Sequence, residues 1–147
     1  IGHHDVSDHR FEQRGLLHVP VQWNGLTVHA VVVHFGLVHS SRVRQVERLA
    51  RFIDREVDPA ALLVVAGDFN DWGERLDGAM TEQGLCRAAD PAGRRADCVT
   101  FPSIAPLFAL DRFYVRGLRC RSTLVPRGMA WSRMSDHLPL LAELELV

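Results

Sequence analysis

The stretch ALLVVAGDFN, residues 61–70, decides the fold. Ala61 to Ala66 read as a short buried strand, and Gly67 then lets the chain turn sharply into Asp68-Phe69-Asn70. Upstream, Leu26 to Phe35 (LTVHAVVVHF) is rich in β-branched residues and nearly continuous, the pattern of a strand buried on both faces. Between the two, Val43, Val46, Leu49, Ala50, Ile53 and Val57 recur at helical spacing within residues 40–57, with arginines and Glu47 on the other faces. Ser40 or Ser41 is the expected N-cap. Asp58-Pro59 ends the helix, because proline disfavours helical backbone in the residue before it. Strand, helix, strand is the βαβ unit of a parallel or mixed sheet.

Working outward, Leu16, Leu17, Val19 and Val21 form a first strand, and Trp23-Asn24-Gly25 turns it into the strand at 26–35 as a hairpin. A second short helix is expected over residues 74–83 with Gly84 as its cap, then a loop over 90–106. Further strands are expected at 110–115, 122–125 and 138–146. Residues 1–14 are polar and read as a loop. His3, His4 and His9 lie close together there, but their spacing is not diagnostic of a metal site.

The 147 residues fit one domain. A hydrophobic fraction of 47% with 24% charged residues excludes disordered and disulfide-scaffold classes. A net charge of -1 gives no global reason to expect nucleic acid. Cys86, Cys98 and Cys120 make neither an even disulfide framework nor a close zinc pair, so a reduced, cytoplasmic setting is expected. No apolar run reaches membrane-spanning length.

Several residues have the right chemistry at the right places. Asp68 and Asn70 stand at the carboxyl end of a buried strand, where open α/β sheets bind ligands. A carboxylate there can position a divalent metal or take a proton from water, and the carboxamide can orient the same ligand. The alternative is an Asx turn cap. Asp136-His137, just before the last strand, sets a hard oxygen ligand beside a titratable donor; the alternative is a solvated loop. Asp111, in LDRFYV, must be paired if it faces inward. A histidine is its natural partner, with Arg112 competing as a structural ion pair.

His34 shares a strand face with Val32 and Ala30, opposite Val31, Val33 and Phe35, and His29 lies on that opposite face. Taken singly, a strand histidine is more often a core or edge residue than a catalyst. Between Asp111 and Asp136 there is no acid, while Arg112, Arg116, Arg119, Arg121, Arg127 and Arg133 intervene. Such a stretch either steers an anionic substrate or is a solvated face. Arg112 and Arg133 are the expected substrate contacts.

In their order, a strand ending in His34, GDFN at 67–70, LDRFYV at 110–115 and SDHLPL at 135–140 resemble the second half of the endonuclease/exonuclease/phosphatase family. The likeness covers the chain from about Gly15, and the stretch Asp5 to Gly15 with the helix 40–57 is similar to small bacterial members. It implies an α/β (α+β) fold, a four-layered sandwich of two mixed β-sheets flanked by helices. It also implies roles: Asp68 activates or positions the attacking water, and Asn70 orients the same group or the metal. His137 contacts the scissile phosphate with Asp111 hydrogen-bonded behind it, Asp136 and Asp68 help bind Mg²⁺ or Mn²⁺, and His34 stabilises developing negative charge. The implied reaction is metal-assisted phosphoester hydrolysis without a covalent enzyme intermediate.

The family's early asparagine and metal-binding glutamate have no counterpart before His34; Glu12 stands in the wrong place. The chain is therefore expected to be a C-terminal part of such a domain, with weak or no turnover by itself. A small or lipid-derived phosphoester is expected ahead of DNA as substrate. A non-catalytic binding fragment is the rival from another class.

Overall fold

The computed structural model describes residues 1–7, 14–92 and 98–147. Eight strands and three helices follow in the order β1 (Gly2–Asp5), β2 (Gly15–Trp23), β3 (Leu26–His34), α1 (His39–Glu56), β4 (Leu62–Asp68), α2 (Asp77–Glu82), β5 (Cys86–Arg87), β6 (Asp111–Arg116), β7 (Leu118–Leu124), α3 (Met129–Ser132) and β8 (Leu141–Leu146). Six strands form a mixed sheet in the order β1-β2-β3-β4-β6-β5, and β7 pairs with β8 in a second, antiparallel sheet.

The expected βαβ unit is present: β3 and β4 are parallel and α1 connects them. The expected hairpin is present too, with Asn24 at φ 49° and Gly25 at φ 78° supplying the two left-handed residues its tight turn needs. Gly84, at φ 69°, follows α2 as expected, although that helix is shorter than the pattern suggested. Two expectations fail. Gly2–Asp5, placed in a loop, forms an edge strand against β2, because its backbone completes the ladder although its side chains are polar. His9 and Glu12 lie outside the described residues. The N-cap of α1 is Val38 with no side-chain cap bond; Ser41 is buried instead.

Alternation along the strands makes two unequal faces. Leu16, Val31, Val33, Leu63, Val65 and Tyr114 pack with Val46, Leu49, Phe52 and Ile53 of α1 and Met80 of α2, all nearly inaccessible. The opposite face packs Val28, Leu62, Val64, Phe113 and Val115 against Leu118, Cys120, Ala142 and Leu144 of the second sheet. That cover does not extend over all of β2 and β3: Val32 is 46% and Val21 46% exposed. The strand at 26–35 is thus sealed on one face only, against the reading of both. Among the described residues the layers are helices, six-stranded sheet and two-stranded sheet, so three of the four expected layers are seen. Among the described residues no helix is long and apolar enough to cross a membrane.

Candidate active site

The strand registers assemble the site. His34 at the end of β3 lies opposite Asp68 of β4, and Asp68 lies opposite Asp111 at the start of β6. One row across three strands therefore carries an imidazole and two carboxylates, all on the face turned towards the second sheet. The row needs Gly67: its φ is 138°, and a Cβ there would stand 1.9 Å from the Val33 carbonyl oxygen. The close approach of β3 and β4 at this point admits no side chain.

The loop before β8 adds His137. Its Nδ1–H donates to Asp111 Oδ2 over 2.7 Å, and Thr100 Oγ1 donates to the same oxygen over 2.6 Å. The partner of Asp111 is thus the histidine and not Arg112. This bond leaves His137 Nε2 towards Asp68, at 4.0 Å from its Oδ2, while His34 Nε2 stands 3.5 Å from that oxygen. Burial alone would pull His137 down, but the hydrogen bond and charge of Asp111, with Asp68 and Asp136, hold it above its ordinary 6.5. Burial raises Asp68 above the usual carboxylate range and the Asp111 charge adds to this, against the Asn70 N–H and the two imidazoles. A base raised in this way accepts a proton from water more readily than an ordinary carboxylate.

Asn70 has φ 48°, a conformation asparagine tolerates. Its backbone N–H donates to Asp68 Oδ1 over 2.8 Å, and its side-chain Nδ2 donates to the Phe35 carbonyl over 2.8 Å. Turn cap and site residue are therefore one arrangement. With one of its two side-chain N–H donors engaged, Asn70 keeps its carbonyl oxygen and the other N–H for a ligand.

His34, Asp68, Asn70, Asp111, Asp136 and His137 all line one cleft of about 500 Å³. The sequence reading missed four other lining residues, Arg14, Leu37, Trp72 and Phe101. Phe101 packs against the His137 ring at 4.9 Å and Trp72 against Phe101 at 5.6 Å, an aromatic wall beside the reactive groups. No periodicity or motif marks them, since each lies on a connection brought in by tertiary folding.

The arginine expectations are largely corrected. Arg112 is 2% exposed and does not line the cleft: Nη1 donates to Asp71 Oδ2 over 3.0 Å, Nη2 to Asp71 O over 2.7 Å and Nε to Ala109 O over 3.1 Å. Strand alternation turns it to the helix face while its neighbour Asp111 faces the cleft. Arg133 is exposed beside Ser135 and Asp136 but outside the cleft lining. Arg116 binds the Asp58 carbonyl, and Arg119 and Arg121 pair with Glu145 and Glu143. Of the six arginines, Arg112 is buried and Arg116, Arg119 and Arg121 are engaged elsewhere. His3 and His4 alternate on the edge strand and line a pocket shared with Arg14 and His34, while His29 hydrogen-bonds His18 over 2.9 Å.

Among the described residues no group of three or more histidine, cysteine, aspartate or glutamate residues is gathered as a metal centre. Asp68 and Asp136 nevertheless open on the same cleft, and Asn70 adds a carbonyl oxygen. Hard oxygens from one or two carboxylates, completed by water, are the donor set that suits Mg²⁺.

No family model matches the sequence. The chain is 36% identical over 146 residues to the uncharacterized protein YbhP of Escherichia coli strain K12, covering 97% of this chain and 56% of that relative. It therefore spans little more than half the relative's length. Among solved structures, the endonuclease/exonuclease/phosphatase from Bacteroides vulgatus is similar with a TM-score of 0.73 and 21% identity, over 99% of this chain and 64% of that one. The Bacteroides thetaiotaomicron mannosyl-6-phosphatase Bt3783 gives 0.74 and 16%, over 99% and 65%. D. rerio TDP2 complexed with single strand DNA product gives 0.71 and 17%, over 99% and 67%. The expected resemblance holds at the level of architecture: the chain has the endonuclease/exonuclease/phosphatase fold and covers about three fifths of those structures.

Proposed function

We propose that the chain carries the larger part of the centre of a metal-dependent phosphoester hydrolase. The observation that supports this most is the registered row His34, Asp68 and Asp111, with His137 bonded to Asp111 and turned towards Asp68. Asp68 and Asp136 would hold Mg²⁺ or Mn²⁺, assisted by the Asn70 carbonyl oxygen. A metal there supplies charge neutralisation on the phosphate oxygens. Asp68, raised by burial, orients the attacking water and takes its proton. His137, whose proton Asp111 stabilises from behind, donates to a phosphate oxygen, and His34 stabilises charge from the opposite end of the row.

The substrate is a small or lipid-derived phosphoester. The cleft is lined by Arg14 and two histidines, and Arg119 and Arg121 pair with glutamates on β8, so these described residues give no extended cationic track for a nucleic acid backbone. The likeness to TDP2 with its single strand DNA product favours a nuclease as the second reading. Steeply salt-dependent binding of a DNA oligonucleotide would support that second reading over the first.

The metal is tested first, by titrating Mn²⁺ into the purified chain and following its electron paramagnetic resonance signal. Binding that disappears in Asp68→Ala and Asp136→Ala is expected. Absence of any binding would instead support the non-catalytic fragment. Because no counterpart of the family glutamate precedes His34, hydrolysis of bis(4-nitrophenyl) phosphate with Mn²⁺ is expected to be weak. An ordinary enzymatic rate, abolished in Asp68→Ala, would show that expectation to be wrong while strengthening the assignment of Asp68.

A further inference from the structure

The residue after the site motif, Asp71, is one of the most buried charges of the chain, 1% exposed, and takes no part in the chemistry above. Its Oδ2 accepts from the Leu76 N–H over 2.9 Å and from Arg112 Nη1 over 3.0 Å, and its main-chain oxygen accepts from Arg112 Nη2 over 2.7 Å. A carboxylate without partners would not remain ionised at this depth. Arg112 in turn binds the Ala109 carbonyl, just before β6, and approaches Asp77 Oδ1 and the Tyr114 hydroxyl at 3.4 Å each.

A second buried arginine lies on the helix side. Burial of Arg42, in the first turn of α1 and 5% exposed, pulls its pKa below the ordinary value, against the charge of Asp71. Its Nη1 donates to the carbonyls of Leu37 and Gly36 over 2.6 and 3.3 Å. Arg42 thus holds the exit from β3 beyond His34 by its own carbonyl bonds. The exit from β4 and the entry to β6 are tied to each other: Asp71 is part of the exit beyond Asp68 and Asn70, and Arg112 holds the entry beside Asp111. An ion pair whose parts reach two separate backbones fixes their relative position more strictly than apolar packing, because each bond has a preferred direction.

We infer that the Asp71–Arg112 pair is the positioning centre of the site: from the helix side of the sheet it sets the distance between the Asp68–Asn70 turn and the Asp111–His137 pair. The inference rests on the phosphoesterase reading only for its consequence, since a displacement of about 1 Å in reacting groups can cost about 100-fold in rate.

Asp71→Asn keeps the size and removes the charge; Arg112→Lys keeps the charge and loses the planar fork. Leu49→Ala, in the α1 core, supplies a loss of stability unrelated to the cluster. Each variant is held at a temperature where circular dichroism shows it folded. Proton–nitrogen NMR spectra then follow two signals, the Asn70 side-chain amide and the ring proton that His137 shares with Asp111. Both signals are expected to shift or broaden in Asp71→Asn and Arg112→Lys and to stay in place in Leu49→Ala. Unmoved signals in the two cluster variants, with stability alone reduced, would make the cluster ordinary core and overturn the inference, as would equal movement in Leu49→Ala. Should Asp71→Asn fail to fold, Arg112→Lys decides by the same signals. Neither signal depends on metal or turnover, so failure here is distinct from failure of the phosphoesterase reading.

Discussion

Asp111 and Arg112 are adjacent in the chain and sit in opposite environments. Asp111 faces the cleft with His137 and Thr100, partly open to solvent, while Arg112 is sealed with Asp71 on the helix side. The same division runs along the neighbouring strands: His34 and Asp68 face the cleft, whereas Val33 and Val65 face α1. A strand that alternates faces every residue can place reactive groups on one side and secure them from the other. The difference teaches that charge at a strand end says little by itself; the face decides whether it acts or holds.

The largest effect that would sharpen this comparison is on the sealed side. Arg112→Ala leaves Asp71 buried without its main partner and is expected to cost about 3–5 kcal/mol in urea unfolding. Asp111→Asn, one residue away, is expected to cost clearly less, because its site is partly hydrated. Equal losses would remove the distinction between the two sides. Next come the two faces of β3: Val33→Ala is expected to lose about 1.5–3 kcal/mol, comparable to withdrawing a buried valine from the core. Val32→Ala, at a half-open position, should stay within about 0.5 kcal/mol. Gly67→Ala, with positive φ and a Cβ set against the Val33 carbonyl, is expected to cost about 1–3 kcal/mol and to disturb the His34–Asp68 register. Backbone amide shifts along β3 and β4 would report it.

The smallest effect is a pH dependence on the open side. His137 binds its proton more tightly folded than unfolded, so its contribution is fully present below 6.5 and is lost as pH rises through its higher folded value. Stability should therefore fall slightly across that window, and His137→Gln should flatten the slope in denaturant midpoints measured along a pH series. A steeper slope in the variant would reverse the sign assigned here.

Much of this was legible beforehand. The βαβ unit, the hairpin and the positions of Asp68, Asn70, Asp111, Asp136 and His137 at strand ends were all available from periodicity and breakers. The face assignment of His34 was available as well, since alternation needs no tertiary contact. Other features were not. Gly2–Asp5 has no strand pattern because an edge strand can be polar and still pair through its backbone. Arg112 carried the same charge whichever way it pointed, and the acid-free stretch around it stayed open between a steering surface and a solvated face until Arg119 and Arg121 proved to lie on β7 beside glutamates. Trp72, Phe101 and Arg14 have no local signature at all.

By itself, then, the sequence determined the βαβ unit, the hairpin and most of the longer strands, and that acidic and imidazole groups stand at or near the ends of strands. Only the tertiary structure decided which of those groups meet, because strand order and register bring His34, Asp68 and Asp111 into one row from positions far apart in the chain. It also decided that His137 rather than Arg112 partners Asp111. Local periodicity is set by backbone geometry over a few residues, whereas pairing of charges is set by which distant backbones share a desolvated space.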